Sequence, residues 1–152
     1  MIIKSSLNNH FLSDSNCPVL IVPHHYSFFD QIVLCYDGSP SSVYAIKMFS
    51  YLFPEFGDLK TTVVTVNEQS SNHLKEGWNF KDLIRVHFKN SGYEVLKGHA
   101  EQELIDYLKK SGENSIVVMG AYGRNALSRL FHQSLSNRVI QEVNMPVFIT
   151  HQ

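Results

Sequence analysis

The residues best suited to chemistry in this sequence lie between Met119 and Ser136. Met119-Gly120-Ala121-Tyr122-Gly123-Arg124 is followed, further on, by Gln133-Ser134-Leu135-Ser136. Holding a phosphate group needs close approach of backbone, which glycine permits because it has no Cβ. It also needs free N–H groups, which the start of a helix supplies. Ser134 and Ser136 add hydroxyl groups that donate or cap, and Arg124 adds a fixed cation. A G-x-x-G spacing alone also describes many tight turns, so the case depends on the elements on either side.

Those elements are a strand and a helix. Ser115 to Gly120 (SIVVMG) is an apolar, β-branched run that reads as a buried strand, and a helix is expected from about Leu135 to Glu142. The same logic places strands at Pro18 to Val22, Ile32 to Tyr36, Thr61 to Val66, Tyr93 to Lys97 and Pro146 to Thr150. Helices are expected from Ser39 or Ser41 to about Phe53, from Trp78 to Lys89, and from Ala100 to Lys110. The spacing puts Val43, Ile46, Met48, Phe49 and Leu52 inward on the first, Trp78, Leu83 and Val86 on the second with Ile84 as a further candidate, and Leu104, Ile105 and Leu108 on the third. From Ile32 onward strand and helix alternate, and the strands are continuous apolar runs. That combination predicts an α/β fold with an open parallel sheet covered by helices on both faces. In such sheets ligands sit beyond the carboxyl ends of the strands, where Asp37-Gly38-Ser39 and Gly120 to Arg124 fall.

The opening segment does not fit the alternation, and an internal repeat explains it. Ser6 to Val22 lies without a gap on Ser134 to Thr150, at a constant offset of 128 residues. Ser, Leu, Asn, Pro, Val and Ile recur at matching places. A chance likeness of two P-V-x-I strands would not extend through the preceding helix. The segment therefore reads as the last helix and strand of a preceding copy. A lone strand cannot satisfy its own backbone groups. Pro18 to Val22 is expected to pair with an edge strand of this domain or of a neighbouring chain, in the first place Pro146 to Thr150.

Other chemistry finds less support. A phosphohydrolase built on Asp37 would need a second acid two residues on, where Ser39 stands. The set of acids and lysine of a receiver domain is not recognisable. Ser39 is not in a G-x-S-x-G elbow. The eight histidines show no metal-ligand spacing, and His24-His25, adjacent at a strand end, point to opposite sides. Tyr44, Phe49, Tyr51, Phe53 and Phe56 read as core. Cys17 and Cys35, the two cysteines, are not in a C-x-x-C pair and read as reduced thiols.

The 152 residues suit one domain, and 43% hydrophobic residues suffice for a core. A net charge of −1 gives no overall case for nucleic acid or membrane as partner. No apolar run is long enough to cross a bilayer, and Met1 to Asn16 lacks the apolar middle of a signal peptide. A cytoplasmic protein is expected.

Taken together, Met119 to Arg124, Leu130, the Ser134-Leu135-Ser136-Asn137 helix start, Asn144-Met145-Pro146-Val147 and the Ile32 to Ser39 strand with its DGS turn resemble the universal stress protein family. The resemblance covers about Ile32 to Thr150. It implies a three-layer, five-stranded parallel sheet of the adenine-nucleotide-hydrolase-like kind, with residues 29–152 as the domain and 1–28 as the remnant of a preceding tandem copy. It implies dimerisation through last strands, so a homodimer through Pro18–Val22 and Pro146–Thr150 is expected. It also implies an adenine nucleotide, ATP, ADP or AMP, with Mg²⁺ in the case of ATP. In the family's nucleotide-binding branch, two glycines separated by two residues are followed, after nine intervening residues, by glycine and then serine or threonine. Gly120, Gly123 and Ser134 match that pattern. Asp37 matches the acidic residue at the nucleoside, and Val66 falls where the second strand lines the adenine pocket. Met119, Arg124, Leu135 and Ser136 belong to the same set. Gln133 departs, standing where the pattern has its third glycine. Its Cβ and long amide enter space where backbone should meet phosphate.

The reading that results is a domain of stress-response type that works by binding and association, taking an adenine nucleotide weakly or not at all. A slow ATPase or nucleotidyl transferase is the alternative from the enzyme class. It lacks an evident general base or carboxylate pair near the glycines. An interaction module with a vestigial site is the third.

Overall fold

The computed structural model describes residues 2–3, 17–26, 28–67, 78–112, 114–120 and 133–150. The strands are β1 (Ile2–Ile3), β2 (Val19–Ile21), β3 (Gln31–Cys35), β4 (Lys60–Asn67), β5 (Ser91–Lys97), β6 (Ser115–Gly120) and β7 (Val147–Thr150). The helices are α1 (Pro40–Leu52), α2 (Trp78–His87), α3 (Ala100–Ser111) and α4 (Gln133–Glu142), with a 3₁₀ turn at Pro54–Phe56. All strands join one sheet in the order β1-β2-β7-β6-β3-β4-β5. From β7 to β5 every neighbouring pair is parallel, which is the expected five-stranded core. The expected pairing of the first apolar run also forms, within the chain: β2 lies antiparallel on β7. The expected helix ahead of β2 lies outside the described residues.

Buried side chains alternate between the two faces. Val33, Cys35, Val64, Val66, Val117, Met119, Val147 and Ile149 pack with Leu104, Ile105 and Leu108 of α3 and Leu135 and Val139 of α4. Ile32, Leu34, Tyr36, Val63, Ile116, Val118 and Phe148 pack with Ala45, Ile46 and Phe49 of α1 and Phe80 and Ile84 of α2. Strands with apolar residues on both sides leave no polar face, which is why the sheet needs two layers of helix. Two helices cover one face on the way from β3 out to β5. Two cover the other on the way back to β7. The reversal falls between β3 and β6, and it opens a crevice at their carboxyl ends.

Some expected details change. On α2 Ile84 is inward, as expected of it, together with Phe80 and, just past the helix end, Phe88, at four-residue spacing; the side chain of Trp78 lies outside the described residues. Val86 is 66% exposed and Leu83 half-buried. Leu52 and Tyr51, at the end of α1, are half exposed rather than core. Ser91 and Gly92 open β5, two residues ahead of the expected start at Tyr93, because they pair with Thr61 and Thr62 of β4. α4 begins at Gln133, two residues earlier than its apolar pattern indicates.

Candidate functional site

The crevice is built from the turn that leaves β3. Asp37 is half-buried, and its Oδ1 accepts the backbone N–H of Ser39 at 2.9 Å. Gly38, at φ 81°, makes the left-handed step of that turn, a conformation strained for any residue with a Cβ. Ser39 is the N-cap of α1: its Oγ accepts the N–H of Ser42 at 3.1 Å. The Ser42 hydroxyl in turn donates to the Ser39 carbonyl at 2.9 Å. Pro40 occupies the first turn, where it sacrifices no hydrogen bond. The N–H groups of Ser39, Ser42 and Val43 are thus engaged by the turn itself.

β6 ends against the same turn. A Cβ placed on Gly120 would stand 2.6 Å from Ser41 Oγ and 2.7 Å from the Ser41 carbonyl carbon and oxygen. Gly120 is therefore glycine because α1 and β6 meet there backbone to backbone. Beside it on the sheet, Thr150 of β7 is fully buried, and its hydroxyl has no hydrogen-bond partner among the described residues. Ser42 and Thr150 are polar groups at this end of the sheet that sequence reasoning did not single out, and Ser41 was read only as a candidate cap. The run of serines after the DGS turn was the available signal.

Val66, Met119 and Leu135 form a floor beneath the crevice on the α3 and α4 side. They are 2%, 1% and 0% exposed and share one apolar cluster with Cys35. Burial, with the nearby Asp37 charge second, pushes the Cys35 thiol up to about 12. Tyr36, on the opposite face, is raised by the same causes in the same order, and its ring stacks on Phe80 at 3.8 Å between centroids. Ser136 is buried in the first turn of α4. The structure therefore brings Asp37, Val66, Met119, Gly120, Leu135 and Ser136 to one end of the sheet. Gly123, Arg124 and the side chains of Gln133 and Ser134 lie outside the described residues.

The body of α4 is pinned to α3 by charge. Arg138 Nε donates to Glu142 Oε1 at 2.9 Å, and Lys109 Nζ donates to Glu142 Oε2 at 2.8 Å. Arg138 also reaches Glu101 at 3.4 Å. The Lys109 hydrogen bond, then that of Arg138, holds the Glu142 carboxyl below its ordinary range.

These features define the class: an open, doubly wound α/β domain whose strand order reverses between β3 and β6. The model of the universal stress protein family matches residues 81–151 of the chain. Two universal stress proteins of Methanocaldococcus jannaschii are each 22% identical to it. One match runs over 124 residues, 79% of this chain and 76% of the relative. The other runs over 121 residues, 75% and 65%. Among solved structures, a universal stress protein from Archaeoglobus fulgidus superposes with a TM-score of 0.68 at 19% identity, covering 95% of this chain and 53% of that one. A universal stress protein in complex with cAMP superposes with a TM-score of 0.63 at 18% identity, covering 82% of this chain and 98% of that one. No helix among the described residues is long and apolar enough to cross a membrane.

Proposed function

We propose that the crevice between β3 and β6 takes an adenine nucleotide weakly, and that the domain serves a cytoplasmic stress response by binding and association rather than by turnover. The observation that carries this reading is that β3 and β6, between which the strand order reverses, run out side by side into Asp37 and Gly120, with Met119, Val66 and Leu135 in one buried apolar cluster. Similarity of fold to a universal stress protein in complex with cAMP supports the choice of ligand class. Because the floor residues are buried, what they offer a ligand is backbone. Phosphate contacts fall to Gly123, Arg124, Ser134 and the start of α4, with Mg²⁺ accompanying ATP. Gln133, which stands where the family pattern has its third glycine, is expected to weaken them.

Binding to the folded state alone raises stability, by about 1.4 kcal/mol at ten times the dissociation constant. Thermal shift and calorimetry with ATP, ADP, AMP and cAMP, each with and without Mg²⁺, test the reading. A shift with any adenine nucleotide at millimolar concentration is expected. No shift with any of them leaves an interaction module with a vestigial site. Gln133→Gly is expected to tighten ATP binding, and unchanged or weaker binding would show that Gln133 is not the obstacle.

The association half of the proposal places contacts between copies at Pro18–Val22 and Pro146–Thr150. The segment before residue 29 is read as the remnant of a preceding tandem copy.

A further inference from the structure

The pairing of β2 with β7 has an internal symmetry. Leu20 faces Phe148, Val19 faces Ile149 and Ile21 faces Val147. Leu20 and Phe148 are also the two residues that the sequence repeat equates, 128 apart. Under the same equivalence Val19 corresponds to Val147 and Ile21 to Ile149. Replacing every residue by its repeat counterpart therefore returns the same set of pairs. That is the rule of an isologous two-fold contact, in which i meets j and j meets i.

β1 extends the symmetry. It runs parallel to β2, with Ile2 facing Leu20 and Ile3 facing Ile21. β6 runs parallel to β7, with Val118 facing Phe148 and Met119 facing Ile149. β1 thus stands to β2 as β6 stands to β7, in the same register. Lys4 and Ser5 alone separate Ile3 from Ser6, where residues 120–133 separate Met119 from Ser134. The N-terminal segment has no counterpart of Gly120, Gly123 or Arg124.

We infer that β1 and β2 are an internal stand-in for β6 and β7 of a second copy of this chain, and that the two compete for the outer edge of β7. The stand-in carries the strands of a partner without its glycine loop. A second copy is the occupant that fits. Its β7, centred on Phe148, would repeat both Val–Ile pairs and change only Leu20 to phenylalanine. The Archaeoglobus fulgidus neighbour is consistent with this: its match takes in 95% of this chain, and about half of that longer chain lies outside it. The stand-in also closes the edge incompletely. A cleft of about 370 Å³ remains between Ile21, Pro23 and His24 on one side and Glu142, Val143 and Met145 on the other. This inference deepens the association half of the proposal above and is independent of the nucleotide half.

Tethering decides the resting state. A short linker gives β2 an effective concentration of the order of millimolar, and a symmetric contact must release the stand-ins of both chains, so a second copy of equal strength at about 10 µM takes well under about 1% of the edges. The full chain is expected to sediment as a monomer at that concentration. Val19→Asp/Ile21→Asp puts two carboxylates where Val19 and Ile21 are 0% and 6% exposed against the α3 and α4 face, and so releases the stand-in. This variant is expected to sediment mainly as a dimer. It is also expected to bind a labelled peptide of residues 144–152 that the parent chain does not bind. With Cys17→Ser and Phe148→Cys added, oxidation is expected to link two chains through residue 148. Facing residues of an antiparallel pair stand within disulfide reach.

Circular dichroism decides whether the double variant is folded; otherwise Ile21→Asp alone serves with the same peptide. A folded variant that remains monomeric and ignores the peptide overturns the competition and, with it, association through these strands. A parent chain that already dimerises, and does so unchanged in the variant, overturns the competition and leaves association to another surface. Nucleotide titration is untouched by either result.

Discussion

α1 and α4 both start at the crevice, yet their beginnings are built differently. α1 closes on itself: Asp37 and Ser39 accept the N–H groups of Ser39 and Ser42, and its first turn is pressed backbone to backbone on Gly120. α4 is fixed from its side and its far end, by Leu135 and Val139 in the core and by Arg138 and Glu142 against α3. Serine and glycine at a helix start are therefore not by themselves evidence of a ligand. At α1 the same residue types are consumed by the fold. The case for phosphate rests on the α4 side, on Gly123, Arg124 and Ser134 of the sequence pattern.

The largest expected effect breaks this contrast at Gly120. Gly120→Ala brings a Cβ to 2.7 Å of Ser41 backbone atoms, which cannot give way as a side chain tip would. Overpacking of this kind costs about 1–3 kcal/mol. Denaturant unfolding should show that loss in the absence of any nucleotide. A variant as stable as the parent would show that Gly120 is held for another reason.

Asp37 comes next. Asp37→Ala removes the acceptor for the Ser39 N–H and loosens the cap, for an expected loss of about 1 kcal/mol, typical of helix-cap deletions. Asp37→Asn keeps an acceptor oxygen and should recover most of it. If both variants are equally stable but differ in nucleotide binding, Asp37 belongs to the site more than to the turn.

The parallel core was legible in the sequence because Ile32 to Tyr36, Thr61 to Val66 and Ser115 to Gly120 are unbroken apolar runs with turn signals after them. The last strand and its partner were legible through the repeat. What could not be read is what depends on tertiary contact. The requirement for Gly120 exists only once α1 lies across β6. The phase of α2 was misjudged at Val86 because Phe80, Ile84 and Phe88 form a steeper stripe, one that only the position of the sheet selects. β1 has two residues and offers no period at all. At the site, Asp37 and Gly120 stood out by type and spacing. Thr150 did not, since a threonine ending an apolar strand reads as part of the strand.

Cys35 sharpens the α1 side further, because it lies beneath Asp37. Its thiol is raised from an ordinary 9.0 to about 12, by burial first and the Asp37 charge second. The folded state then holds a proton that the unfolded state releases above pH 9. This contribution is fully present below pH 9 and is lost as pH rises toward 12, about 1 kcal/mol at pH 10. Compared with Cys35→Ala, the parent chain should lose more stability between pH 8 and 10. In the native state a thiol reagent should modify exposed Cys17 and spare Cys35. Equal rates would show that the end of β3 opens readily.

The smallest effect belongs to the α4 side. Glu142 bridges Lys109 and Arg138 across α3 and α4 at a solvent-exposed place, where such pairs are weak and screened by salt. Its carboxyl is held below the ordinary value of 4.5, so its contribution is present above that pH and fades as pH falls through the folded value. Glu142→Gln should therefore lower the melting temperature slightly at neutral pH and low salt, and the difference should vanish at acid pH or in concentrated salt. A loss as large as that of Gly120→Ala would mean that α4 depends on its ion pairs rather than on Leu135 and Val139. The contrast between a helix locked at its start and one held by its side would then have to be redrawn.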